Sequence, residues 1–462
     1  SKRGMIVQVI DIQFANVPGI MEELLRDSFT DASTSGESID PLDVTSHILY
    51  IQDARLLICK IHGTVEDGRL ILNNSWLPSR TQSTVRRLPM RRLIELAGIR
   101  GNLPIYLGET DESTSFIIDA RALDGKLNII TGKKGTGKSH LSKILALGLV
   151  DLGATVIILD LNGEYTKLGL ASNGRKNQYY RKIRILTPKV NFKVALSQTN
   201  LSVMLKMLTY TLNLPGTSSR EFRRIWKFLS ERGTLTLHEL GEAIRNWKCN
   251  QHVKDALFSR YYALLHSNFF TDNLAEAVVL EEIFHTMKNG GAIIVDLSDA
   301  SSIDRQIVVE YMLGKLQELL SQKRIRPVFL FAEEAHLYLR ETYWDDIVTR
   351  MRHHGVFTTF ITNQPNTIKG NIYRQADNIF LFNFINERDL EIVSRAAKVD
   401  VETAVSIVRD LPPHHCLVLG SVVKDFPIVI KVRSLDVQTK GQTRLFFTEN
   451  RVEQKAATLT FR

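Results

Sequence analysis

The stretch Leu127-Asn128-Ile129-Ile130-Thr131-Gly132-Lys133-Lys134-Gly135-Thr136-Gly137-Lys138-Ser139-His140 decides the fold of this 462-residue chain. Its glycines, lysine and serine fit G-x-x-x-x-G-K-[ST] at every fixed position. Leu127–Thr131 reads as a buried strand and His140–Leu152 as a helix, with Leu141, Ile144, Leu145, Leu149 and Leu152 on one face. Glycines let the backbone curl so that its N–H groups point at phosphates, at the positive end of the helix that follows. Lys138 reaches the β- and γ-phosphates and the Ser139 hydroxyl ligates Mg²⁺. A strand, this loop and a helix together specify a nucleoside triphosphate site.

Working outward, strands recur with helices between them. Ala154–Leu159 ends at Asp160, and further strands are expected at Ala292–Leu297, Val328–Ala332, Val356–Ile361, Asn378–Phe384, Cys416–Leu419 and Pro427–Val432. The helix Asp304–Leu320 lies between two of them. Such alternation implies an α/β fold with a mostly parallel sheet covered on both faces. From Leu201 to Lys288 no strand is evident. Phe222, Trp226, Leu229, Leu237, Leu240, Ile244, Leu257, Tyr261 and Leu265 suit a packed helical insertion, placed at about 197–290. Residues 1–110 differ: Met5–Phe14, Ser46–Ile61 and Pro104–Leu107 read as short strands around a polar loop at Asp31–Asp43, suggesting a small β-barrel. The expected division is therefore 1–110, 111–435 and a C-terminal extension, 436–462.

A phosphate loop needs a carboxylate at the tip of a neighbouring strand. Asp296 ends one strand, and Glu333 with Glu334 ends another, before Ala335 and His336. The doublet suits hydrolysis better, since two tasks need two acids: Glu333 to hold Mg²⁺ through its water, Glu334 to orient the attacking water. Asp296 is then a strand-end acid capping the next loop. Asn363 and Gln364, after the strand Val356–Ile361, are placed to sense the γ-phosphate, and Arg350 or Arg352 to reach a neighbouring subunit's site.

Composition narrows the rest. The chain has a net charge of +9, and 44% of its residues are hydrophobic. No run of 18 apolar residues or secretory leader is visible, so a soluble protein without membrane contact is expected. Three scattered cysteines without C-x-x-C spacing point to a reducing cytoplasm. Arg175, Lys176, Arg181, Lys182 and Arg184 surround Tyr179 and Tyr180. Cations beside aromatics suit a nucleic-acid backbone with stacked bases, though a solvated loop has the same composition.

Together these motifs resemble the HerA family, within the HerA/FtsK superfamily of ring-shaped ATPases. Asp160-Leu-Asn-Gly163-Glu164-Tyr165 is similar to the family's D-x-x-G-E-Y, and Glu333-Glu334-Ala335-His336 to its E-E-A-H. Asp296-Leu-Ser and the stretch Asp377–Asp389, with Asn386, fall in the same order. The resemblance implies a RecA-like core with an N-terminal barrel, ATP and Mg²⁺ as cofactors, and Asp160, Glu164 and His140 among the nucleotide-site residues. It implies a homohexameric ring translocating on double-stranded DNA, with a nuclease partner such as NurA in end processing. The alternative is a nucleotide-gated ring that scaffolds an effector subunit without processive movement. Two departures stand out: Thr362-Asn363-Gln364-Pro365 replaces the family's frequent Ser-Gln-Arg-Pro, and Lys126 stands where an arginine is frequent.

Overall fold

The computed structural model describes residues 3–14, 55–71, 76–79, 83–339, 347–384 and 407–438. The chain divides into two units, Ser1–Gly98 and Ile99–Arg462. In the first, β1 (Gly4–Phe14), β2 (Arg55–Glu66) and β3 (Arg69–Ile71) form an antiparallel sheet. Asp67 and Gly68 both take positive φ, the geometry that lets a two-residue turn match the twist of β2 and β3. A short helix, α1 (Met90–Ala97), ends at Gly98 in the left-handed region. The expected polar loop at Asp31–Asp43 and the first half of Ser46–Ile61 lie outside the described residues. Closure of a barrel is therefore an expectation that the three strands support only in part.

The second unit is built on eleven strands: β4 (Pro104–Thr110), β5 (Ser115–Asp119), β6 (Asn128–Thr131), β7 (Thr155–Asp160), β8 (Ile183–Leu186), β9 (Gly291–Asp296), β10 (Val328–Glu333), β11 (Val356–Thr362), β12 (Asn378–Leu381), β13 (His415–Gly420) and β14 (Ile428–Val432). Their order across the sheet is β5-β4-β14-β13-β12-β6-β11-β10-β7-β9-β8. From β12 to β8 every pairing is parallel; from β12 to β5 every pairing is antiparallel. The strand at Pro104–Thr110 corrects the expected division. It hydrogen-bonds to β14 and β5 in this sheet, so the second unit begins before residue 110.

Both faces of the parallel half are covered, which is why its strands are apolar without alternation. Ile157, Leu159, Ile293, Val295, Leu330, Ala332 and Phe360 share one core with the helical insertion. That insertion comprises α3 (Leu201–Lys206), α4 (Gly216–Glu231), α5 (Leu237–Asn246), α6 (Gln251–His266) and α7 (Leu280–Thr286). Among its expected core residues, Leu265 proves 40% exposed. The sheet then continues through α8 (Ser302–Ser321), whose first turn is a reciprocal cap between Ser301 and Asp304. The helix after the phosphate loop, α2 (Lys138–Asp151), packs against β4 and β7. It is buried almost all round rather than on one stripe, and Leu152, expected on its apolar face, caps its end half-exposed.

The junction of the two sheet halves is held by one buried amide. Asn378 Nδ2 donates to Ala122 O and to Asn128 Oδ1, both at 2.8 Å. Its Oδ1 accepts from Ser421 Oγ at 2.9 Å and Val422 N at 2.7 Å. Asn128 Nδ2 in turn donates to Thr359 Oγ1 on β11 at 3.3 Å. Asn378→Leu leaves these partners buried and unpaired, and urea unfolding should show a loss of about 3 kcal/mol.

Candidate active site

The turn between β6 and α2 has the shape its glycines permit. Gly137 sits at φ 117°, ψ 9°, in the left-handed region that caps α2. At Gly132 a Cβ would stand 2.4 Å from the Phe382 Cβ, so no larger residue fits. The loop is braced from the antiparallel half: Lys133 N donates to Asn383 O (2.9 Å) and His414 N donates to Thr136 O (2.9 Å). Lys133, Lys134 and Gly135 form its exposed rim, while Thr136 turns inward, its hydroxyl donating to Lys133 O (2.7 Å).

Lys138 is buried, and its Nζ donates to Lys133 O at 2.7 Å. Burial pushes this lysine down to about 8, against the upward pull of Glu334, Glu164 and Glu333. Those acids come from two strands that β11 separates from, or places beyond, the phosphate-loop strand. Glu333 ends β10 and is 3% exposed, with Oε2 lacking any hydrogen-bond partner. Burial, then the nearby Glu164 and Asp160, raises it to about 8.

Glu334 adopts φ 44°, ψ 47°, a left-handed conformation costly for a residue with a side chain. The twist turns its carboxylate towards the end of β11. Thr362 Oγ1 donates to Oε2 at 2.9 Å and Asn363 N donates to Oε1 at 3.0 Å. Thr131 Oγ1 donates to Thr362 O at 3.1 Å, which ties the phosphate-loop strand to the same segment. The structure thus joins Asn363 to Glu334 through its backbone. Gln364 is exposed, and its N–H is spent on Thr362 Oγ1.

Other expected site residues have uses inside the chain. Asp160 accepts Glu164 N (3.0 Å) and Tyr165 N (2.8 Å), so both its oxygens shape the turn that presents Glu164. His140 directs Nε2 to Arg433 O (2.8 Å), which engages one ring nitrogen with the chain after β14. Asp296 accepts the N–H and hydroxyl of Ser298, the loop cap expected of it. Arg352 donates from Nε to Gly125 O (2.7 Å) and pairs with Asp377 (3.1 Å); Lys126 pairs with the same carboxylate (3.2 Å). These contacts lie where β6 and β12 begin, at the opposite end from the phosphate loop. Arg350 is exposed on the turn Ile347–Met351. Asn386 and Asp389 lie outside the described residues.

In the basic segment, Arg175, Lys176, Arg181 and Arg184 are exposed and Lys182 is half-buried. Both of its aromatics already have partners within the chain. Tyr179 OH donates to Asp151 (2.6 Å), and Lys176 Nζ covers the Tyr180 ring at 4.0 Å from its centroid.

Sequence reading missed Lys143, Thr362 and Tyr338. Lys143 is 2% exposed, faces Glu164, Glu333 and Asp160, and lies 5.3 Å from the centroid of the Tyr165 ring. Tyr165 OH and Ser142 Oγ hydrogen-bond at 2.5 Å beside it. The available signal was a Ser-Lys pair inside an otherwise apolar helix. Tyr338, wholly buried near Glu333 and Glu334, gave no such signal.

The residues fit a magnesium-bound triphosphate. Glu333 keeps an orphaned, buried oxygen, and the Ser139 hydroxyl makes no hydrogen bond among the described residues. The N–H groups of Lys134, Gly135, Gly137, Lys138 and Ser139 donate to no backbone carbonyl. A loop of free amides at a helix N-terminus, beside a buried lysine, is an anion site.

Residues 105–316 match the family model of the helicase HerA central domain. The chain is 23% identical over 387 residues to a probable helicase of Methanocaldococcus jannaschii, covering 75% of this chain and 70% of that protein. It is 21% identical over 338 residues to the DNA double-strand break repair helicase HerA of Sulfolobus acidocaldarius, covering 68% and 66%. Among solved structures, VirB4 of Thermoanaerobacter pseudethanolicus aligns with a TM-score of 0.56 at 17% identity, over 73% of this chain and 98% of that one. The plasmid coupling protein TrwB bound to the ATP analogue ADPNP aligns with a TM-score of 0.55 at 13% identity, over 77% and 95%. These two show the RecA-like fold.

A pH dependence follows. The raised Glu333 keeps its proton in the folded protein after the unfolded chain has lost its own, so its contribution to stability falls as pH climbs from about 4.5 to about 8. Glu333→Gln should therefore stabilise the nucleotide-free protein, by on the order of 2 kcal/mol near pH 8 and by little near pH 4.5, in paired urea titrations. With the phosphate loop, the acid pair and the 105–316 match on one sheet, the nucleotide-binding unit of this chain is a P-loop ATPase domain similar to the central domain of the helicase HerA.

Proposed function

We propose that this chain is the motor subunit of an ATP-driven DNA translocase, a homohexameric ring that moves on double-stranded DNA and serves a nuclease in DNA end processing. The observation that carries this reading is the convergence of Lys138, Glu333 and Glu334 at one end of a parallel sheet, in a unit of HerA type. Relatives named DNA double-strand break repair helicase HerA support the DNA assignment.

The chemistry is phosphoryl transfer to water, in which positioning and charge stabilisation do most of the catalytic work. The amides of residues 134–139 and Lys138 hold the triphosphate. Ser139 and Glu333, whose buried Oε2 has no hydrogen-bond partner among the described residues, would hold Mg²⁺. Its chemistry there would be to offset the negative charge of the triphosphate. Lys138 Nζ, which donates to Lys133 O of the same loop, would exchange that partner for phosphate oxygen. Glu334 orients the attacking water. Its bonds to Thr362 and Asn363 give the end of β11 a direct report of what occupies that position. Arg350 or Arg352 would complete a neighbour's site; in the single chain Arg352 is engaged with Gly125 and Asp377. Arg175, Lys176, Arg181 and Lys182 are candidates for DNA phosphate contact.

ATP turnover should rise with added duplex DNA and be retained on no variant lacking Glu334. Glu334→Gln should lose at least about 100-fold in kcat while still binding nucleotide, and Lys138→Ala should lose binding. Turnover indifferent to saturating duplex would refute the translocase reading. Neutralising Arg175, Lys176, Arg181 and Lys182 should flatten the salt dependence of duplex binding; an unaltered slope would remove that segment.

A further inference from the structure

Helix α4 (Gly216–Glu231) divides cleanly into two faces. Ser218, Phe222, Ile225, Trp226 and Leu229 are buried in the insertion core. Arg220, Arg223, Arg224, Lys227 and Phe228 occupy the opposite face and are exposed, and Arg232 follows just beyond the helix end. This spacing stacks the cations over two turns of one helix. Residues 216–254 hold eight cations against four carboxylates, so much of the chain's net charge of +9 is gathered here. Two of the carboxylates already serve α4 itself: Glu221 pairs with Arg224 at 2.9 Å and Glu231 approaches Lys227 at 3.6 Å. Arg220 and Arg223 have no ion-pair partner among the described residues.

Beside this face lies a cleft of about 430 Å³ between α4 and the end of α5 (Leu237–Asn246), walled by Phe228 and Trp247 and edged by Arg224, Asn246 and Lys248. The wall is fixed in place. Trp247 Nε1 donates to Glu221 Oε2 at 2.9 Å, and the Phe228 and Trp247 rings meet edge to face at 5.9 Å. The Arg232 guanidinium covers the Phe228 ring at 4.0 Å from its centroid. Phe228 nevertheless remains 37% exposed, at the mouth of the cleft.

A row of exposed cations, two of them without ion-pair partners among the described residues, leads to a rigid aromatic cleft with an amide and an ammonium at its edge, the chemistry of a single-stranded polynucleotide site. Phosphates suit the cations, and an unstacked base has a π-face for the aromatic wall and edges for Asn246 and Lys248. A duplex keeps its bases stacked and would use the cations alone. An acidic peptide would leave the aromatic wall without purpose.

We propose that the exposed face of α4 and the Phe228–Trp247 cleft form a binding site for single-stranded nucleic acid, separate from the ATPase site and from the basic segment 175–184. The site does not depend on the translocase reading, because none of its residues belongs to the phosphate loop or the acid pair.

The test is fluorescence anisotropy with a labelled oligothymidylate on the full chain, with a labelled duplex and a polyglutamate peptide as comparisons. Combined reversal of Arg220, Arg223 and Lys227 to Glu should weaken oligothymidylate binding at least tenfold and lower the slope against log salt by about 2. Phe228→Ala should weaken it about tenfold, Phe228→Tyr should restore it, and duplex binding should not respond to either aromatic change. Undiminished oligothymidylate affinity in the charge-reversed and Phe228→Ala chains would overturn the proposal. So would a preference for polyglutamate lost on the same reversal, which would assign the face to an acidic protein. Basal ATP turnover checks that the variants are folded. Duplex-stimulated turnover on the same samples reports on the translocase reading separately, since either can fail while the other holds.

Discussion

Everything at the nucleotide site follows from three acids and two lysines packed into one poorly hydrated space. Glu164, Glu333 and Glu334 face Lys138, and Glu164 and Glu333 also face Lys143. Out of water such charges interact strongly, but each has lost hydration that its neighbours only partly replace. Burial therefore brings Lys138 down and Glu333 up until both lie near 8. Neither is settled: Lys138 leans on a backbone carbonyl of its own loop, and Glu333 keeps an oxygen with no partner. A polyphosphate with its counter-ion would supply what both lack.

The surrounding fold keeps that arrangement from relaxing. The phosphate loop is pinned from the antiparallel half of the sheet, through Asn383 and His414, and cannot collapse onto Phe382 without a clash at Gly132. Glu334 holds a left-handed backbone because its carboxylate is secured by Thr362 and Asn363. Strain of this kind persists where surrounding contacts over-determine it. Thr131 and Thr362 then connect the loop strand to that same acid, so the phosphate-loop strand, the acid and the end of β11 share one hydrogen-bonded path.

Much of this was legible in the sequence because its signals are local. A glycine-rich loop between an apolar strand and a helix, and a strand ending in two acids, each announce their geometry within a dozen residues. What escaped reading was set by distant pairing. Pro104–Thr110 looks like any short strand, and only its ladder with Ile428–Val432 assigns it to the ATPase unit. Asp160 and Arg352 are charged residues near motifs, yet their partners are backbone groups and Asp377, which no local spacing discloses. Lys143 was hidden for the opposite reason: a lysine on a helix is ordinarily solvated, and only the acids brought over by β7 and β10 give it a buried setting. The basic face of α4 was overshadowed by its apolar face, whose periodicity is the stronger pattern.

The claim at the centre is that Glu333 is the acid reserved for the metal while Lys138 and the loop amides hold phosphate. Calorimetric titration of wild type and Glu333→Gln with a non-hydrolysable ATP analogue, with Mg²⁺ and then with EDTA, tests it directly. The account predicts that Mg²⁺ tightens binding in wild type but much less in the variant, with metal-free affinities closely similar. Equal tightening by Mg²⁺ in both proteins would contradict it.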